Sequence, residues 1–312
     1  MKCWIITEGL AGTENQCIGV AEALGVEAEI KRVALRQPWK SLSPWLGFES
    51  AQTFEPAPSP PWPDLLIASG RKSIAASRYI RKASKGKTFT VQIQDPRISP
   101  VHFDLVAVPE HDPSRGSNVI VTAASPNRIT TEKLVAAREK FAEFEKLTGP
   151  RVAVLVGGDS KSHKMTREIT MRLAEQLKKL DAGLMVTTSR RTGEENTRIL
   201  KDALSGPNIF IWDGSGENPY FGMLAWADFI LVTKDSASML SDAATTGKPV
   251  YVIPLEGGSK RLDKLHENLR EKGITRPFDG RLENWSYERL QDSQKIAREI
   301  RARLAGHMAG QV

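Results

Sequence analysis

The stretch VTKDSASMLSDAATTGKPVYVI, Val232 to Ile253, runs from an apolar strand end through a polar turn into a short helix, stops at a glycine and enters a second apolar strand. A buried strand feeding a helix that returns to another fully apolar strand is the βαβ unit of a parallel sheet. Asp235 or Ser236 stands where a helix cap belongs, and Gly247 where the chain must leave the helix. The same alternation continues outward in both directions. Toward the amino terminus, KCWIIT, EAEIKRV, DLLIAS, FTVQIQ, FDLVAV and NVIVT read as strands, with helices near residues 13–24, 70–83 and 131–147. A second series, RVAVLV, GLMVTT, NIFIW, DFILVT and PVYVI, begins after Gly149 and Pro150, with helices near 165–180, 193–204, 219–226 and 236–246. The expected fold is α/β: two facing Rossmann-like doubly wound domains, residues 1–148 and 149–285, with an interdomain cleft. A last amphipathic helix within 286–312 is expected to pack back on the first domain.

Composition narrows the class. In 312 residues, 40% are hydrophobic and 26% charged, which places the chain among folded proteins. No apolar run approaches the roughly 20 residues that span a bilayer. The segment MKCWIITEGLAG has one lysine and an apolar run too short for a signal peptide, so the expected location is the cytoplasm. Cys3 and Cys17 have neither metal-ligand spacing nor a disulfide framework and read as core residues, and five scattered histidines predict no metal site.

The net charge of +7 permits an anionic partner. Within residues 71–87, RKSIAASRYIRKASKGK, seven lysines and arginines occur without an acid. This run is either a solvated helix face or a surface for phosphate or anionic lipid. No aromatic interleaving or binding motif accompanies it, so nucleic acid is not expected as a partner. Upstream, LRQPWKSLSPWLGF mixes Trp39, Trp45 and Phe48 with basic residues; these side chains either plug a local core or dip into a membrane interface. Residues 51–63, with five prolines, read as an extended loop.

Ligands of open parallel sheets bind beyond the carboxyl ends of the strands. The first such loop, TEGLAGTENQ, lacks GxGxxG, which argues against a dinucleotide-dependent oxidoreductase. In the opening stretch the helix start offers N–H groups and a positive dipole end to a diphosphate. Asp242 follows Ser238 by four residues, about 6 Å along nearly the same face, where a carboxylate can accept bonds from ribose hydroxyls. A well-capped helix with an ordinary surface acid has the same pattern. The loop GGDSKSHK supplies Gly157 and Gly158 for close backbone approach, and TTSRRT supplies Ser189, Arg190 and Arg191, with Thr192 and Glu195 as a capping box. Three donor-rich loops at one sheet edge point to an anion pocket. In the first domain, Gly12, Glu14 and Gln16 occupy the first loop, Asp95 and Arg97 end one strand, and Glu110, His111 and Asp112 end another. A carboxylate or histidine there could serve as general base, and both clusters are equally ordinary turn chemistry.

The run ADFILVTKDSASMLSDAATTGKPVYVIP resembles the donor site of GT-B glycosyltransferases. The combination GTENQ, QIQDPR, FDLVAVPEHD, GGDSK, TTSRRT, NPYFGMLAWAD and TKDSASMLSDAATTGKPV resembles the mitochondrial-fission-like protein family, from Glu8 to about Leu282. That resemblance implies a predicted glycosyltransferase that uses a nucleoside diphosphate sugar as substrate, with no cofactor and no essential metal. It implies donor binding by Gly157, Gly158, Ser189, Arg190, Ser236, Ser238 and Asp242, to which the TTSRRT loop adds Arg191, and an acceptor side of Asp95, Arg97, His111 and Asp112. The first loop adds Gly12 and Gln16 to that side, and Asp112, His111 or Glu14 would act as base. A lipid or membrane-bound acceptor, held through Trp39, Trp45 and the basic run, would place the protein at the inner face of the membrane. Two alternatives stay open: a nucleotide-sugar 2-epimerase, and a non-catalytic scaffold that retains the fold.

Overall fold

Apolar runs without alternation form strands buried on both faces, and such strands organise both halves of the chain. The computed structural model describes residues 1–310. It divides into two units, Met1–Arg128 with the chain from Gln291 onward, and Ile129–Leu290.

Unit 1 is a six-stranded sheet of β1 (Cys3–Thr7), β2 (Ala28–Arg32), β3 (Leu65–Ser69), β4 (Phe89–Ile93), β5 (Leu105–Pro109) and β6 (Val119–Thr122). The order is β2-β1-β3-β4-β5-β6 and every pairing is parallel. The helices α1 (Ala11–Leu24) and α2 (Ser73–Ala83) connect strands. The carboxyl-terminal helix, Asp292–Ala309, belongs to this unit: Ile296, Ala297, Ile300 and Leu304 are buried with Cys17 and Val20 of α1 in one core. Its first turn is tied to the end of β6, where Asp292 accepts bonds from the N–H groups of Ala123 (3.1 Å) and Ala124 (2.8 Å). Cys3 and Cys17 are core residues here, and burial pushes the Cys3 thiol up to about 12.

Two local expectations for unit 1 change. Residues 51–63 are not loop throughout: a short turn, Ala51–Thr53, leads into Phe54–Glu55, which pairs antiparallel with Ala34–Leu35 because Phe54 buries its ring in the core. Trp39 is not an exposed anchor. It packs half-buried on the cluster around Trp4, and its indole N–H donates to the Gly47 carbonyl at 3.1 Å.

In unit 2 the helix α3 (Thr131–Lys140) precedes a second six-stranded sheet. The strands are β7 (Arg151–Val156), β8 (Gly183–Thr188), β9 (Ile209–Ile211), β10 (Phe229–Thr233), β11 (Val250–Ile253) and β12 (Thr275–Pro277). They are parallel in the order β9-β8-β7-β10-β11-β12. Helices α4 (Arg167–Lys178), α5 (Gly193–Ala203), α6 (Tyr220–Trp226), α7 (Ala237–Thr246) and α8 (Lys260–Glu271) connect them. We number the carboxyl-terminal helix of unit 1 α9.

The division falls at Arg128 and Ile129 rather than at Gly149. Residues 129–148 join unit 2 because their aromatic and basic side chains find partners there. Phe144 lies edge-on to Phe210 at 4.9 Å, the Arg138 guanidinium sits 4.0 Å from the centre of the Trp226 ring, and the Trp226 N–H donates to the Arg138 carbonyl. Gly222 makes the fit, since a Cβ there would lie 2.6 Å from the Phe141 ring.

Candidate functional site

Strand order reverses in unit 2 between β7 and β10, the switch point where the loops of a doubly wound sheet diverge. Gly157 and Gly158 follow β7. The Gly157 N–H donates to the Thr233 hydroxyl at 2.7 Å and its carbonyl accepts from the Ser189 hydroxyl at 2.7 Å. A Cβ on Gly157 would sit 2.4 Å from both carboxylate oxygens of Asp235, and one on Gly158 would sit 2.1 Å from the Arg191 carbonyl. Packing against these two neighbours requires the glycine pair.

Asp235 and Ser236, alternatives for the cap of α7 in the sequence, take separate roles. Ser236 caps, accepting from the Met239 N–H at 3.4 Å. Asp235 turns its fully buried carboxylate onto the β7 loop: Oδ2 accepts from the Gly158 N–H at 3.2 Å and pairs with Arg191 Nη1 at 2.5 Å. Its other oxygen, Oδ1, is buried without a hydrogen-bond partner. Two groups expected to receive a ligand anion, the Gly158 N–H and Arg191, therefore hold a carboxylate of the chain itself.

Ser189 opens the turn Arg190–Thr192, and the capping box here is Ser189 with Thr192. Thr192 and Glu195 do not form one, because the Thr192 hydroxyl is engaged by the Gly157 carbonyl and Glu195 pairs with Arg167 at 3.1 Å. Arg190 is exposed on that turn.

Ser236, Ser238 and Asp242 share α7. The Tyr220 hydroxyl, from the start of α6, donates to Asp242 Oδ2 at 2.9 Å. Asp242 keeps one edge partly exposed, but the surrounding protein displaces enough water to push its carboxyl up to about 7, with the Tyr220 bond opposing the rise. Burial and the adjacent Asp242 together hold the Tyr220 hydroxyl well above its ordinary range, so it remains a donor. Tyr220 was not among the residues singled out from the sequence; only its place in NPYFGMLAWAD marked it. Lys248, also missed, donates to the Leu224 and Ala225 carbonyls at 2.7 Å each, closing α6, and burial lowers it to about 8.

A cavity of about 400 Å³ lies beside α8, lined by Lys234, Asp263, His266 and Arg270 among others. Lys234 pairs with Asp263 at 2.8 Å, and a ring nitrogen of His266 is 2.8 Å from the Lys234 carbonyl oxygen. Burial holds both His266 and His163 below the usual imidazole range. No group of three or more His, Cys, Asp or Glu among the described residues could hold a metal ion.

In unit 1, Gly12, Glu14 and Gln16 lie in the first turns of α1 rather than in a loop. Glu14 is gripped by Arg32 through Nε (3.0 Å) and Nη2 (2.8 Å) and accepts from the Thr7 hydroxyl. The Arg32 hydrogen bond holds its carboxyl below the ordinary range, which makes it a weak base. Gln16 is buried, accepting from Ser69 (2.9 Å) and Gln94 (3.0 Å). Asp95, His111 and Asp112 come together: the Asp95 N–H lies 3.4 Å from Asp112 Oδ2, and His111 Nε2 lies 3.9 Å from Asp112 Oδ1. Arg97 is exposed, at φ 58, with its N–H on Asp95.

Two parallel six-stranded Rossmann-type sheets in one chain define an α/β protein of the GT-B type. Over 97% of its length the chain is similar to the whole of the UDP-GlcNAc 2-epimerase from Methanocaldococcus jannaschii, with a TM-score of 0.53 at 14% identity. The putative UDP-N-acetylglucosamine 2-epimerase from Listeria monocytogenes matches 99% of the chain over 90% of its own, at TM-score 0.52 and 12% identity. Spinosyn forosaminyltransferase SpnP matches 99% over 92% of its own, at TM-score 0.50 and 14% identity.

The chain belongs to the family described as Mitochondrial fission ELM1, which matches residues 11–304. Mitochondrial fission protein ELM1 of Arabidopsis thaliana is 27% identical, covering 96% of this chain and 90% of that one. An uncharacterized protein of Rickettsia prowazekii is 27% identical over 77% of this chain and 79% of its own.

Proposed function

We propose that unit 2 binds a nucleoside diphosphate sugar at the head of α7, and that the protein is a glycosyltransferase passing the sugar to an acceptor hydroxyl. The observation that carries the reading is Asp242. A carboxylate kept where ionisation is disfavoured, with one tyrosine hydroxyl as its hydrogen-bond donor, costs the free protein stability, and ribose hydroxyls would supply the missing donors. The diphosphate would lie at the start of α7, against N–H groups that have no partner inside the helix and near Ser238. The helix dipole and Arg190 would stabilise the departing diphosphate, so the reading calls for no resident metal. Arg191 could join through the guanidinium N–H groups that its Nη1 pairing with Asp235 leaves over. For the base we retain Asp112 with His111 and set Glu14 aside, since Arg32 occupies it. UDP-GlcNAc is the first donor to test, because it is the sugar nucleotide named for the 2-epimerases that share this fold.

A second reading, a binding or scaffold protein without turnover, is favoured by one observation: the Asp235 carboxylate already fills the contacts of Gly158 and Arg191. Thermal shift with UDP and UDP-GlcNAc, on the intact protein and on Asp242→Ala, tests the binding step. Ligand at about 100 times its dissociation constant adds roughly 2.7 kcal/mol to the folded state. A shift confined to the intact protein supports the site, and no shift with any nucleotide removes it. With binding in hand, release of UDP that needs an acceptor marks a transferase, release without one marks a hydrolase, conversion to the 2-epimeric UDP-sugar without net UDP marks an epimerase, and neither product marks the scaffold.

A further inference from the structure

Unit 1 carries a surface that the nucleotide site does not use. From the end of the short helix Trp39–Leu42 onward, the chain presents Leu42, Trp45 and Phe48 to solvent at 49%, 62% and 92% exposure. They are held out by a fixed backbone. Trp39 donates to the Gly47 carbonyl from inside, and Arg78 of α2 donates to the Leu46 carbonyl at 2.8 Å and pairs with Glu49. Phe48 sits at φ 61, a conformation that bulky side chains avoid, yet its ring gains no burial in the molecule.

Beside Phe48 runs a groove of about 440 Å³ whose other side is basic, with Lys82, Lys85 and His102 along it. Arg78 and Arg81 are neutralised by Glu49 and Asp104. Lys82 and Lys85 are exposed and have no acidic partner among the described residues. The Phe48 ring and two unpaired cations thus line one groove, and Trp45 stands exposed three residues before Phe48 on the same fixed segment.

We propose that this face docks unit 1 on the surface of an anionic lipid bilayer, with Lys82 and Lys85 over headgroup phosphates and Trp45 and Phe48 in the interfacial layer. Charge decides the occupant. A second copy of the chain would set like charges against each other, and a soluble polyanion would satisfy the lysines while leaving Leu42, Trp45 and Phe48 in water. This proposal stands independently of the donor-site reading.

The test is co-sedimentation of the full chain with phosphatidylcholine vesicles, with and without phosphatidylglycerol. Ionic strength runs from about 0.01 M to about 1 M, over which the screening length falls from roughly 30 Å to roughly 3 Å. Binding is expected with phosphatidylglycerol at low salt, weakening as salt rises, and little with phosphatidylcholine alone. Lys82→Gln with Lys85→Gln should lower the partition by roughly fivefold per lysine. Trp45→Ser with Phe48→Ser should lower it by about tenfold or more while leaving the melting temperature unchanged, since neither ring packs inside the protein. Equal binding to both vesicle types, unaltered binding by the Trp45/Phe48 variant, or binding to single-stranded RNA with none to vesicles would each overturn the proposal.

Discussion

Replacing Asp242 by Asn should make the free protein more stable while removing its response to nucleotide. In the folded protein the Asp242 carboxyl is pushed up to about 7, against 3.8 ordinarily, because the packing around α7 and α6 strips water from it. Between those two values the folded chain holds a proton that the unfolded chain has released, so stability is full below about pH 4 and falls as pH rises toward 7. The whole rise corresponds to about 4 kcal/mol, and the exposed edge of the side chain reduces it, giving about 2–4 kcal/mol at pH 8. Asn keeps an oxygen for the Tyr220 hydroxyl and cannot ionise. At roughly 2–4 °C per kcal/mol for a unit of this size, Asp242→Asn should melt roughly 4–16 °C above the natural protein at pH 8 and close to it at pH 4. Melts across pH 4–8, with and without UDP, read both effects. A variant no more stable than the natural protein at pH 8, with an unaltered slope from pH 4 to 7, would refute the reasoning.

The remaining predictions concern neighbouring supports. Tyr220→Phe removes the bond that favours the ionised carboxylate, so any nucleotide response should shift to higher pH, visible in binding titrations from pH 6 to 9. Gly158→Ala forces a Cβ to 2.1 Å from the Arg191 carbonyl at a φ of +142 and should cost about 3 kcal/mol in urea unfolding. Lys248 is lowered to about 8, so the unfolded chain binds its proton over a wider range and stability contributed by this group rises from pH 8 toward 10; Lys248→Met should flatten that rise in melts. Asp292→Ala strands the N–H groups of Ala123 and Ala124 and should destabilise unit 1 by about 3 kcal/mol, read by urea unfolding.

Both sheets were legible because strands such as LLIAS and RVAVLV are apolar on both faces, a pattern that a parallel sheet covered by helices demands. The α8 helix and strand β12 went unread: Lys260–Glu271 is highly charged, and Thr275–Pro277 is a three-residue edge strand exposed at two of its positions. The division at Arg128 was invisible because it depends on Phe144 meeting Phe210 and on Arg138 meeting Trp226, pairings that no local pattern announces. At the site, the spacing of Ser236, Ser238 and Asp242 could be read from one helix. Tyr220 stands 22 residues from Asp242 and Gly158 stands 77 from Asp235, and such encounters are made by strand order rather than by spacing. Trp39 and Trp45 illustrate the same limit, since both are aromatic residues beside prolines and only packing separates the half-buried one from the exposed one.

The return of α9 to unit 1 fixes the order in which a ribosome can deliver finished structure. Strands β1–β6 emerge first, yet the face of α1 that meets Ile296, Ile300 and Leu304 stays uncovered until those residues are made. Unit 2 is complete once Leu290 has emerged. The insertion between Ile129 and Leu290 takes roughly 10–30 s to synthesise at about 5–20 residues per second. Through that interval the nascent amino-terminal half carries an open apolar seam, and the half begun first is the half that closes last.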